Sequence, residues 1–170
     1  MSSKNIFLIG MMGSGKSTIA PQLSKKINIK TIDIDNDLLS ILEINFLEIN
    51  EKKFRHLESV YFIERIKNGS HIYATGGGII LKQENRKAMK NTGVTFFLDA
   101  STDELYKRLN KTNLNKRPLI NQSNIKKSLD ELWDQRKDLY YNSADYIINT
   151  NGKNIDNIIN EIIEKLNENC

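Results

Sequence analysis

Gly10-Met11-Met12-Gly13-Ser14-Gly15-Lys16-Ser17 satisfies the pattern G-x-x-x-x-G-K-[ST] at every fixed position. Each residue type answers a demand made by phosphate. Glycines let the backbone turn tightly so that successive N–H groups face an anion, Lys16 neutralises β- and γ-phosphate charge, and the Ser17 hydroxyl can ligate magnesium. Thr18 adds a hydroxyl near the α-phosphate. An apolar run at 4–9 precedes the loop, and a helical pattern (Ile19, Leu23, Ile27) opens at Lys16. The positive end of that helix therefore also faces the anion. The octet predicts nucleoside triphosphate binding and leaves hydrolysis, transfer and switching open.

Other residues point to a phosphate acceptor. Asp33 and Asp35 stand at the end of a second β-rich run, and ligands of parallel sheets gather at that edge. One carboxylate can organise hydrated magnesium while the other meets an acceptor hydroxyl; capping the next helix is the competing use for Asp35. The chain has 19 lysines and 6 arginines. Arginine's planar fork grips carboxylate or phosphate bidentately, which makes Arg55, Arg117 and Arg136 candidates for anion recognition, with solvated surface arginines as the alternative. Thr75-Gly76-Gly77-Gly78 follows a third β-rich run; the glycines expose backbone N–H groups to a ligand or simply make a flexible turn.

The elements that position these residues alternate. Short β-rich runs at 4–9, 31–34, 71–75, 94–98 and 146–148 are separated by helical patterns from Lys16 and near 37–43, 49–67, 82–91, 102–110, 124–141 and 154–167. Such alternation predicts an α/β fold with a parallel sheet covered on both faces. The stripe Ile155, Ile158, Ile159, Ile162, Ile163 and Leu166 is core packing. The polar stretch LNKTNLNKRPLINQSN, which contains Pro118, reads as a long surface loop.

Composition narrows the function classes. A chain of 170 residues makes one domain, with a core large enough to need no disulfide or structural metal. His56, His71 and Cys170 cannot build a zinc cluster, so a metal ion would take oxygen ligands, with magnesium the natural choice. The net charge of +4 comes mostly from scattered lysines with no run of five, which argues against nucleic acid. The N-terminus lacks a leader pattern and the apolar runs are short, so a cytoplasmic protein without a membrane partner is expected.

The phosphate loop, Asp33-Ile34-Asp35, Phe54-Arg55-His56-Leu57-Glu58, Gly76-Gly77-Gly78, Arg117-Pro118-Leu119 and Arg136-Lys137-Asp138-Leu139-Tyr140 occur in this order, and in this order the sequence resembles the shikimate kinases. The resemblance spans nearly the whole chain. It implies a P-loop kinase fold of the nucleoside-monophosphate-kinase type in one domain (1–170): a five-stranded parallel sheet flanked by helices, a substrate-binding segment at about 34–60 and a lid at about 111–124. It further implies that ATP is held by Gly13, Ser14, Gly15, Lys16, Ser17 and Thr18 together with Arg108, Arg117 and Lys153. Magnesium would be ligated by Ser17 and organised from its outer shell by Asp33. Asp35 would contact the reacting hydroxyl, Arg55 and Arg136 would hold the substrate carboxylate, and Gly76, Gly77 and Gly78 would approach the substrate through their backbone. Lys16, Asp35 and Arg117 are the catalytic set by this resemblance. The reaction it implies is transfer of the ATP γ-phosphoryl group to the 3-hydroxyl of shikimate, a step of aromatic amino acid (chorismate) biosynthesis, by a monomer acting on small molecules.

Two features depart from the family pattern: Asp138 lies two residues after Arg136, and the stretch between Arg108 and Arg117 is slightly long. A gluconate kinase of the same architecture is the alternative within enzymes. A guanine-nucleotide switch is the alternative outside them. Asn110-Lys111-Thr112-Asn113 faintly resembles the guanine-reading Asn-Lys-x-Asp, but it ends in Asn, follows a helix, and has no accompanying D-x-x-G.

Overall fold

The computed structural model describes residues 4–42, 50–67, 69–111 and 124–168. Five parallel strands form one sheet: β1 (Asn5–Ile9), β2 (Thr31–Asp33), β3 (Ile72–Ala74), β4 (Gly93–Asp99) and β5 (Tyr146–Asn149), in the order β2-β3-β1-β4-β5. The helices are α1 (Lys16–Ile27), α2 (Ile34–Leu42), α3 (Glu51–Arg65), α4 (Gln83–Thr92), α5 (Thr102–Leu109), α6 (Ile125–Ser143) and α7 (Ile155–Asn167). Among the described residues no helix is long and apolar enough to cross a membrane.

Central strand β1 is buried along its whole length, as a strand covered on both faces must be. Successive side chains point to opposite faces, so its alternation divides the core in two. Phe7 and Ile9, with Tyr73 of β3 and Phe97 of β4, pack under Phe62 of α3, Met89 of α4 and Tyr140 of α6. Ile6 and Leu8, with Ile72, Phe96 and Leu98, pack under Ile19 and Leu23 of α1 and the Ile158, Ile159 and Ile162 stripe of α7. Each such burial contributes roughly 1.5–3 kcal/mol.

The chain leaves β1 for the outer strand β2, returns to β3 beside β1, and then crosses to β4 on the other side. After β1 it continues into α1 on the Leu8 face, whereas after β3 it continues into a 3-10 turn, Ile79–Leu81, on the Phe7 face. Segments that depart to opposite faces open a crevice at the carboxyl ends of the strands between them. The phosphate loop and the glycine triplet border that crevice from adjacent strands.

One local reading is corrected. Helix α2 begins at Ile34 rather than 37, because Asp33 Oδ1 accepts the Asn36 backbone N–H at 3.1 Å and starts the helix directly after the strand. The capping carboxylate is thus Asp33, and Asp35 lies within the first turn of α2. A 3-10 turn, Ile79–Leu81, lies between β3 and α4. Of the expected lid at 111–124 only Lys111 and Asn124 are described; Arg117 lies outside the described residues, as does 43–49 of the substrate-binding segment. The abundance of asparagine acquires a use: Asn50, Asn124 and Asn154 cap α3, α6 and α7, accepting N–H bonds from Lys52, Lys127 and Asn157.

Candidate active site

A cavity of about 660 Å³ runs along the carboxyl ends of the strands, bordered by Gly13 to Thr18, Asp33, Asp35, Arg55, Gly77, Gly78, Arg108, Arg136 and Lys153. The fold therefore gathers onto one wall nearly every residue singled out in the sequence. Among the described residues Gly76 is the exception: it does not reach the cavity surface but lies buried beneath Asp35 and Glu58.

At the phosphate end, the loop is shaped by its own backbone. Gly15 has φ 99°, a left-handed conformation, and sits at the N-terminus of α1. Lys16 is only 8% exposed, and its ammonium donates to the carbonyls of Gly10 (2.8 Å) and Met11 (2.9 Å) and to Ser14 Oγ (3.3 Å). The charge is thereby laid across the loop, where a phosphate chain would follow it. Ser14 is buried and spends its N–H on Met11 O, so its part is to brace the loop. Ser17 and Thr18 are exposed at the helix start.

The opposite end is built from side chains of three helices and the backbone of the glycine turn after β3. Arg55 of α3 donates through Nη1 to Glu58 Oε2 at 2.7 Å, with Glu58 only 1% exposed. Asp35 faces the same pair from α2. A Cβ on Gly76 would overlap the carboxylates of Glu58 and Asp35, and one on Gly78 would overlap the Arg55 guanidinium. Gly76 and Gly78 are glycine because charged side chains occupy the space a methyl would need. That replaces the flexible-turn reading. Arg136 of α6 is 4% exposed and reaches Gly77 O through Nη1 at 3.3 Å. Asp138 is exposed on α6 and does not compete for Arg136.

Several buried polar atoms at this end have no hydrogen-bond partner: Arg55 Nε, Arg136 Nε, Asp35 Oδ1 and Glu58 Oε1. Orphaned buried donors and acceptors are costly unless something satisfies them. Both arginines border the cavity, and two guanidinium groups beside one cavity suit an anion with two oxygens. Burial lifts the Asp35 carboxyl above its ordinary value; Arg55 opposes the shift and Asp33 adds to it. Glu58 is pushed up to about 7, chiefly by burial, with Arg55 opposing and Asp35 adding. A proton held between the two carboxyl groups would satisfy both orphaned oxygens.

On the far side of the phosphate loop, Arg108 of α5 binds Thr150 through the carbonyl (2.7 Å) and the hydroxyl (3.2 Å), and pairs with Glu104 at 3.0 Å. These bonds hold its guanidinium against the cavity next to Leu109, Ile155 and Ile158. Lys153 borders the same space, but its ammonium is engaged by Glu161 at 2.6 Å. Its charge is therefore balanced on α7.

Magnesium prefers hard oxygen donors, keeps several waters, and is commonly held by one carboxylate plus substrate phosphates. Among the described residues no group of three His, Cys, Asp or Glu could cage a metal. The exposed Ser17 hydroxyl and Asp33, whose Oδ1 alone serves as the cap, fit an ion carried in with a nucleotide.

Sequence reasoning assigned no role to Glu58 or Tyr140. The i, i+3 spacing of Arg55 and Glu58 on a predicted helix was a signal for the first. Nothing local announced that the Tyr140 hydroxyl donates to Gly77 O, 63 positions away, at 2.5 Å.

Comparison with known proteins agrees with this geometry. The sequence model of the family described as shikimate kinase matches residues 12–167. A shikimate kinase of Bordetella avium is 36% identical over 165 residues, covering 95% of this chain and 78% of that protein. One from Francisella tularensis subsp. novicida is 37% identical over 166 residues, covering 94% and 93%. The solved structure of a shikimate kinase from Acinetobacter baumannii in complex with shikimate superposes with a TM-score of 0.91 at 28% identity, covering 98% of this chain and 94% of that one. A gluconokinase from Sinorhizobium meliloti shares the fold with a TM-score of 0.62 at 15% identity, covering 98% and 95%. With the family model matched from the phosphate loop to the last helix, and relatives more than a third identical along nearly the full length, the chain belongs to the shikimate kinase family.

Proposed function

We propose that the cavity brings ATP and shikimate together and transfers the γ-phosphoryl group to the shikimate 3-hydroxyl, giving shikimate 3-phosphate and ADP. The observation that carries this reading is a pair of arginines, the half-buried Arg55 and the buried Arg136, bordering the same cavity as a complete phosphate-binding loop. One end suits a triphosphate and the other a carboxylate. The likeness to the gluconokinase is one of fold alone.

Phosphoryl transfer asks chiefly for alignment and charge neutralisation. Lys16 neutralises charge on the transferring phosphoryl group. Arg55 and Arg136 fix the acceptor by its carboxylate, so that its hydroxyl is presented to Asp35. Asp35 orients that hydroxyl and takes its proton as the new O–P bond forms and the bond to ADP breaks. Burial raises its proton affinity, which favours a carboxylate that accepts a proton. Ser17, with Asp33 organising the outer shell, would hold magnesium, which would supply positive charge to the phosphates. Gly77 and Gly78 contribute backbone to the acceptor. The nucleobase rests between Arg108 and the apolar Leu109, Ile155 and Ile158, with Lys153 at the rim. Arg117 belongs to this reading as a phosphate contact by the family resemblance. The protein acts as a cytoplasmic monomer.

The direct test is ATP consumption with and without shikimate. Turnover that depends steeply on shikimate is expected; equal turnover without it would instead identify an ATPase.

A further inference from the structure

Tyr140 is absorbed by none of these roles. It does not border the cavity, yet it is fully buried and its hydroxyl donates to the carbonyl of Gly77, which does. That same oxygen receives Arg136 Nη1, so two donors from α6 converge on one acceptor. Positions 136 and 140 are one helical turn apart and lie on one face of α6. The Tyr140 ring is held in turn by Phe97 of β4, stacked at 5.1 Å with an interplanar angle of 7°. The hydroxyl is therefore fixed to the sheet itself.

Gly77 lies between this hydroxyl and the phosphate loop. A Cβ on it would lie at ordinary van der Waals distance from each, 3.6 Å from Tyr140 Oη and equally 3.6 Å from Gly10 O and Met12 N of the phosphate loop. The peptide linking residues 77 and 78 is trans and planar, so its N–H points opposite to its C=O. Holding the Gly77 carbonyl thus sets the direction of the Gly78 N–H as well as the seat of Arg136.

We propose that Tyr140 is a positioning residue for the acceptor site, which through the Gly77 carbonyl fixes both the Gly77–Gly78 peptide plane and the Arg136 guanidinium that reads the substrate carboxylate. Burial pushes the Tyr140 hydroxyl up to about 12, so it remains a protonated donor across the working pH range. The competing explanation is a core tyrosine that merely satisfies its hydroxyl on the nearest carbonyl.

Tyr140→Phe separates the two, since it keeps the ring and its stack and removes only the donor. The inference rests on the shikimate reading, so the wild-type assay comes first: no shikimate-dependent turnover there would sink that reading and this inference with it. Given an active wild type, the variant should raise the shikimate KM, and the shikimate Kd by calorimetric titration, about tenfold, the scale of one lost buried hydrogen bond. The ATP KM and kcat should stay within about twofold, because contacts to the carboxylate are made equally in the ground and transition states. A shikimate analogue lacking the carboxylate should lose less affinity than shikimate does, because only the part that runs through the Gly77–Gly78 peptide remains. In an Arg136→Lys background the same change should cost far less than in the wild type, since both residues act through one carbonyl. An unchanged shikimate KM, fully additive costs with Arg136→Lys, or a parallel loss of ATP and shikimate affinity accompanied by a lower melting temperature would each overturn the proposal and leave a core tyrosine.

Discussion

The two ends of the cavity are built in different ways. The phosphate end comes from eight consecutive residues, with its anion-binding geometry in the backbone and its one cation, Lys16, folded onto the loop's own carbonyls. The acceptor end is assembled from α2, α3, the turn after β3 and α6, and it holds buried charged groups whose hydrogen-bonding capacity is only partly used. A phosphate chain is common to every nucleotide and can be met by a local device. A particular carboxylate and hydroxyl must be met at several points at once, and only a tertiary arrangement provides those. The cost is a set of buried ionisable groups retained for binding, since a buried charge pair is seldom a net source of stability.

If the phosphate end acts through preorganised charge, its loss should fall on turnover. Lys16→Ala and Asp33→Asn are each expected to lower kcat about 100-fold or more while the protein stays folded. Asp33→Asn is the sharper of the two, because asparagine caps a helix as well as aspartate does. Its melting temperature should match the wild type, and a large drop would mean that Asp33 matters to α2 more than to the nucleotide.

Changes at the acceptor end should show mainly in binding. Arg55→Lys and Arg136→Lys keep a positive charge but lose the fork, and each should weaken shikimate binding by about 10- to 100-fold, with ATP affinity nearly unchanged. Equal weakening of both ligands, measured by titration, would break the division between the ends.

The smallest expected effect is on pH dependence. Glu58 has a pKa of about 7 in the folded protein against an ordinary 4.5, so the folded state holds its proton more tightly than the unfolded state does. That contribution is complete below the unfolded value and is lost as pH rises through the folded one. The melting temperature of the ligand-free protein should therefore fall between about pH 5 and pH 8, and Glu58→Gln, which can still accept the Arg55 bond, should make the fall shallower. Identical slopes in the two proteins would show that Glu58 is not the group responsible.

The sequence by itself determined the phosphate end almost completely. A loop whose geometry is set by adjacent residues has its glycines, lysine and hydroxyl in one string, and the strand before it and helix after it follow from local periodicity. Strand and helix order was legible for the same reason, down to the Ile155 to Leu166 stripe that packs α7. At the acceptor end only the parts were legible. Asp33 and Asp35 sit two residues apart, yet their division of labour depended on where α2 begins, and the Asn36 N–H decided that. The glycine triplet reads as a turn until Asp35, Glu58 and Arg55 are seen in the space a methyl would fill. Glu58 and Tyr140 acquired their roles from partners that folding brought to them: Asp35 from another helix, and the Gly77 carbonyl from across the sheet edge. Such contacts join residues far apart in the chain, so no local pattern encodes them, and they exist only once both core faces have packed.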